Sequence, residues 1–225
     1  MAKTSIADID GEHMARRWFG LGNLRGRCWF IGMESGARED PAWPEIWATR
    51  FGGAPVVGLQ ESAGDSERRW LGPYNVVHPT WTPLIRTRLA YDGLATGIGE
   101  VLDYQRELFC RADGDEALLD VSAYAPASRA GDAPRETYRD ARIARLRGML
   151  ADHRPEIVVC FGMTDRATFE AICGGPFHAD GFRWSDTTLC ALVHHPKPRH
   201  RAPEPPQTWT ELGAELRRRY EERVR

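Results

Sequence analysis

The sequence predicts an α/β fold, with three αβα layers around a central four-stranded, mainly parallel sheet. Three observations carry that expectation. Four short apolar runs, at 28–32, 118–122, 156–161 and 188–193, have strand length, and each ends in a polar, turn-forming loop. Stretches of helical periodicity lie between the runs, as crossover connections require. The chain, at 225 residues, suits one domain with one core, and no internal repeat or linker divides it. Open parallel sheets place their sites beyond the carboxyl ends of the strands. The loops after these four runs are therefore where chemistry is sought.

Taken in order, Asp10 is expected to cap a short helix carrying Met14, Trp18 and Phe19. Residues 20–26 read as a turn, and the first strand follows. Residues 37–75 are rich in Gly, Pro and charge, and read as a long loop with short helical pieces. Thr82-Pro83 reads as a helix start, with Leu84, Ile85 and Leu89 on the buried face. Ile98, Val101, Leu102, Gln105 and Leu108 repeat at helical spacing over about 97–110. After the second strand, residues 126–134 read as a loop, and 137–152 as a helix burying Ile143, Leu146 and Leu150. Thr164 is expected to cap a helix bearing Ala167, Phe169 and Ile172, stopped by Gly174-Gly175-Pro176. Thr208 and Glu211 form a capping box for a helix over 209–224.

Composition narrows the classes. The apolar fraction and eight tryptophans fit a packed globular protein. No run of ~18 apolar residues suggests a membrane helix, and residues 1–11 have no apolar signal core. A cytoplasmic location is the expectation. The five cysteines are widely spaced, with no C-x-x-C pair, so reduced core thiols are expected rather than an iron–sulfur or zinc site. The net charge of −2 is not that of a general nucleic-acid coat. One stretch departs from it: residues 194–201 hold Lys197, Arg199, Arg201 and three histidines, and no acid.

Three strand ends carry candidate chemistry. Glu34 follows a buried strand on a turn between Gly32 and Gly36, where glycines let backbone amides approach a ligand. It could orient a water or stabilise a developing cation, or it could cap the next helix. His195 is held by Pro196 and could donate to a developing anion or bind phosphate. Asp120 sits in an apolar run, where an acid needs a partner or a cleft. It could line a site or bridge to an arginine. The turn Gly162-Met163-Thr164 could bind an anion through its amides or could simply join strand to helix. No nucleophile elbow, phosphate-binding P-loop or dinucleotide fingerprint is present.

The order of these strand ends resembles the uracil-DNA glycosylase superfamily. In that superfamily one strand ends in a glycine motif and a later one in a His-Pro-Ser motif. Gly32-Met33-Glu34-Ser35-Gly36 resembles the first, and His195-Pro196-Lys197-Pro198 the second. The trailing Ala37-Arg38-Glu39-Asp40 looks like the iron–sulfur branch. The run 159–164 is similar to the family's apolar strand ending in a glycine turn, and 120–126 occupies the place of the Asn-containing strand end that reads the base. The likeness spans about 28–200. Ser35 replaces the motif proline, the cluster cysteines are absent, and Asp120 stands where Asn is expected. An ionised Asp only accepts hydrogen bonds, which suits an amino group better than uracil.

The resemblance implies a uracil-DNA glycosylase-like domain over the whole chain. It would be a DNA repair hydrolase that flips a uracil or another deaminated or damaged base and cuts its N-glycosidic bond. Glu34 would orient the water, and His195 would donate to the leaving base. Gly32, Met33, Ser35, Gly36 and Asp120 would contact the base. Trp47 lies at about the family's spacing for the stacking aromatic, with Phe51 as the second choice. Lys197, Arg199 and Arg201 would hold phosphates. DNA is the implied partner, single-stranded or damaged. A monomer with no metal or cofactor is expected. The alternative is a catalytically lapsed relative that binds nucleic acid or a nucleotide without cutting it.

Overall fold

The computed structural model describes residues 14–34, 43–63, 69–123, 132–196 and 208–224. Strands are numbered in chain order as β1 (Gly20–Gly22), β2 (Cys28–Glu34), β3 (Val56–Val57), β4 (Glu116–Ser122), β5 (Ile157–Phe161), β6 (Phe182–Ser185) and β7 (Thr188–Val193). They form one mixed sheet in the order β3-β1-β4-β2-β5-β7-β6. The four apolar runs are its centre, β4-β2-β5-β7, and all three pairings among them are parallel.

Among the described residues the expected four strands are thus seven, because the three outer strands carry weak sequence signals. β1 runs antiparallel to β4 and parallel to β3. Its glycines read as a turn, yet they are what allows the pairing. Gly20 and Gly22 have φ of +145° and +97°, and a Cβ on either would sit 2.1 to 2.2 Å from a β4 carbonyl oxygen. Only glycine tolerates that approach. β6 pairs antiparallel with β7 through a tight turn in which Asp186 has φ +54°.

Both faces of the sheet are covered. Side chains alternate along a strand, so Cys28 and Phe30 of β2 point to one face and Trp29 and Ile31 to the other. The first face packs against α3 (Trp81–Tyr91), α4 (Ile98–Glu107) and α7 (Trp209–Val224). The second packs against α5 (Asp132–His153) and α6 (Arg166–Cys173). The short helices α1 (Trp43–Arg50) and α2 (Leu59–Ser62) lie in the segment before α3. Buried Trp47 of α1 clusters with Met14, Trp18, Val57 and Ala123, just past the end of β4.

Several local expectations shift. Residues 14–17 are helical, while Trp18 and Phe19 follow that turn as buried residues; Asp10 lies outside the described residues. Helix α3 begins at Trp81, and its start is capped by His78, whose Nδ1 accepts from the amides of Thr80 and Trp81 at 3.2 and 3.1 Å. Thr82 lies inside the helix instead of capping it. In α4, Val101 and Gln105 are buried, but Ile98 and the flanking Leu108 are about half exposed. Gln105 turns inward because its amide donates to the carbonyls of Trp70 and Val76. Helix α5 starts at Asp132, earlier than its apolar spacing suggests, and Ala167 of α6 is exposed. Gly174, in the left-handed conformation, ends α6 as expected. The Thr208–Glu211 box closes reciprocally, with Glu211 accepting from the Thr208 amide and Thr208 Oγ1 from the Glu211 amide.

One buried ionic group pins the amino end of the sheet. Arg88 of α3 is 2% exposed; its Nε meets Glu116 at 2.9 Å, and its Nη atoms meet Asp92 and Asp115. Tyr104 of α4 donates to the same Glu116 carboxylate. All five cysteines are free and buried, and burial pushes the Cys28, Cys110 and Cys160 thiols up. No helix among the described residues is long and apolar enough to cross a membrane.

Candidate functional site

The register of the central strands decides which candidates meet. Gly32 of β2 pairs directly with Asp120 of β4, and Ile31 pairs with Cys160 of β5. Phe161, the next residue of β5, pairs with Val193 of β7. Asp120, Gly32, Phe161 and Val193 therefore form one row across four parallel strands near their carboxyl ends. Paired residues of a parallel sheet point to the same face, here the face that packs against α3 and α7.

Gly32 is the gap in that row. The Phe161 ring lies over it, and a Cβ on Gly32 would come within 2.5 Å of Phe161 Cε2. Across the ring stands His195, two residues past β7, with centroids 5.6 Å apart and planes at 70°. The imidazole is exposed, whereas Phe161 is 5% exposed. Asp120 is 8% exposed, so its carboxyl reaches the surface only narrowly.

The strand end that carries Asp120 is clamped from below. Its amide donates to the Phe19 carbonyl at 2.7 Å. Its carbonyl accepts from Arg142 Nη2 at 2.8 Å. Arg142, on α5 and 3% exposed, also donates through Nη1 to Ala15 and Trp18 and through Nε to Val121. One guanidinium thus ties β4 to the 14–18 turn, using the fork geometry that lysine lacks. Sequence reasoning passed over Arg142. Its signal was position, because 142, 146, 149 and 150 share one helical face and the other three are apolar. Phe161 carries only the signal of a strand residue; its contacts run to Gly32 and His195, which lie far off in sequence.

Other candidates fall elsewhere. Glu34 is the last residue of β2, and its backbone pairs with Ser122. Met33 turns to the opposite face and packs with the α5 layer, away from the row. Trp47 is fully buried and donates its indole N–H to the Ala54 carbonyl at 2.8 Å, so it offers no face for stacking. The correction is physical: an amphipathic ring at the right spacing found a core to fill. Phe51 is half-buried beside Trp47, under the Arg50 guanidinium. Ser35, Gly36, Lys197, Arg199 and Arg201 lie outside the described residues.

Beside the row, past β7, a cleft of about 200 Å³ is lined by Met163, Arg166, Asp180, Phe182, His194 and Trp209, among others. His194 faces this cleft, as alternation along the strand separates it from His195. Fold and site together define an α/β protein with a mostly parallel sheet and an acid, an aromatic ring and an imidazole gathered at its carboxyl edge. No protein-family model matches the chain, and no curated protein matches it at a significant level.

Proposed function

We propose that this is a DNA base glycosylase that hydrolyses the N-glycosidic bond of a flipped base. The observation that supports it is the row Asp120–Gly32–Phe161–Val193, with His195 against the Phe161 ring and Glu34 at the tip of β2. Residues as far as 163 positions apart in sequence, Gly32 and His195, meet at the edge where parallel sheets hold their ligands. The motifs at 32–36 and 195–198 carry the resemblance to the uracil-DNA glycosylase superfamily.

In this reading the base leaves the helix and enters the carboxyl edge. The C–N bond to the sugar breaks, and the sugar gains oxocarbenium character. Glu34 stabilises that cation, orients the water whose oxygen bonds to the sugar carbon, and takes the proton that the water loses, which ends on the departed base. The electron pair goes to the base, and His195 donates a hydrogen bond to the anion that forms. Asp120 accepts a hydrogen bond from the base and sets which one fits. Lys197, Arg199 and Arg201 bind phosphates.

The test is incubation with oligonucleotides carrying uracil, hypoxanthine, xanthine or a mismatch, followed by assay for abasic sites. Cleavage is expected in the wild type and lost in Glu34→Ala and His195→Ala. Cleavage that persists in both variants rules out their roles. Asp120 and Ser35, at family positions of Asn and Pro, favour a second reading: a relative that binds nucleic acid or a nucleotide without cutting it. Salt-sensitive DNA binding with no abasic product selects that one.

A further inference from the structure

We propose that Phe161 is the positioning residue for His195, and that residue 32 is glycine because the Phe161 ring occupies the place of its side chain. The proposal rests on the reading of His195 as the donor to the leaving base.

Gly32 is not required by backbone conformation, since its φ is not among the positive values of the chain. The requirement is space. A Cβ there would lie 2.5 and 2.6 Å from Phe161 Cε2 and Cζ, well inside van der Waals contact. A glycine inside a central strand weakens the strand and commonly marks a close approach by another group. Here that group is an aromatic ring from the neighbouring strand.

The ring is itself held at both ends. Phe161 is buried in the apolar cluster with Val159, Ala191 and helix α7, and its backbone pairs with Val193. The next residue, Gly162, with φ +125°, turns the chain away and donates its amide to the Val193 carbonyl at 2.9 Å. The ends of β5 and β7 are thereby tied together. His195 leaves that tied end and sets its imidazole against the ring at 70°, the edge-to-face geometry that aromatic quadrupoles favour. Three adjacent strands, β2, β5 and β7, thus contribute one stack: a vacant position, a buried ring and an exposed imidazole. An exposed side chain after a strand end samples several rotamers unless something fixes it. The buried ring contributes such a restraint, so the donor is placed before any base arrives, which is what an electrostatic donor needs to be effective.

The experiment uses the full chain with Phe161→Leu, Phe161→Met and Gly32→Ala, each checked for folding by circular dichroism. Phe161→Met, unbranched and adaptable, can fill the ring's space if Phe161→Leu does not fold. The first readout is NMR of the His195 side chain. In the wild type the Hα–Hβ couplings of His195 are expected to report one χ1 rotamer, and each variant should average them, a change that loss of the Phe161 ring current alone does not produce. The second is single-turnover excision. In Phe161→Leu and Phe161→Met a misplaced donor should cost on the order of 10- to 100-fold in rate, with DNA affinity unchanged. Phe161→Leu combined with His195→Ala should be no slower than His195→Ala alone. His195 couplings that stay those of one rotamer in folded variants overturn the proposal, as does an additive double variant. If no base is excised by the wild type, the glycosylase reading fails, while the NMR result still decides whether Phe161 positions His195.

Discussion

Arg142 holds Asp120 by its main chain: Nη2 donates to the Asp120 carbonyl at 2.8 Å, while the same guanidinium serves Val121, Ala15 and Trp18. A buried charge with several carbonyl partners is costly to remove, because each orphaned acceptor keeps its desolvation penalty. Arg142→Leu should lower stability by about 3–5 kcal/mol, read from urea unfolding. Arg142→Lys should recover little, since an ammonium cannot span the same set of carbonyls. A loss below about 1 kcal/mol would mean that the clamp contributes little to the fold.

Trp47 carries a second prediction. Its indole is buried and bonded to Ala54, so Trp47→Phe should destabilise by about 1–2 kcal/mol through the lost bond and a small cavity. Nucleic-acid affinity, measured by fluorescence anisotropy at fixed salt, should not change. A drop in affinity with unchanged stability would return Trp47 to the role of stacking aromatic.

Base preference should follow Asp120. As an acceptor it suits a base that presents an amino group, whereas Asn both donates and accepts. Asp120→Asn is expected to shift the ratio of excision rates towards uracil by about tenfold or more, the value of one hydrogen bond made or left unpaired. Competition between two labelled oligonucleotides reads that ratio directly, and an unchanged ratio removes Asp120 from base selection.

The last helix gives a pH dependence. Hydrogen bonds from Arg218, with those from Arg219, hold the Glu215 carboxyl down at about 2, from an ordinary value of 4.5. The folded-state value lies below the unfolded one, so the contribution is present above pH 4.5 and is lost as pH falls towards 2. These pairs face solvent, so the effect should stay under about 1 kcal/mol and shrink in 1 M salt. Thermal unfolding of Glu215→Gln across that window should lack the wild-type component. A variant with an identical acid profile would show that the pairs contribute nothing.

Residue chemistry along the chain was enough to locate the four central strands, because each is a run of apolar, β-forming side chains closed by a turn. β7 matches its expected bounds, 188–193, and the capping box at Thr208 and Glu211 forms as its spacing dictates. Those signals are local, and local chemistry determines them. What the sequence could not reveal depends on contacts between distant segments. β1 exists because two glycines admit the carbonyls of β4 nearly a hundred residues later. Trp47 is core rather than surface because Trp18, Val57 and Ala123 close around it. Glu34, Asp120 and His195 were each legible as polar residues at strand ends. Register alone set Asp120 beside Gly32, and packing alone put the Phe161 ring over Gly32 and against His195. A strand's composition tells which residues are apolar, but pairing energy, summed over whole strands, decides which residues become neighbours.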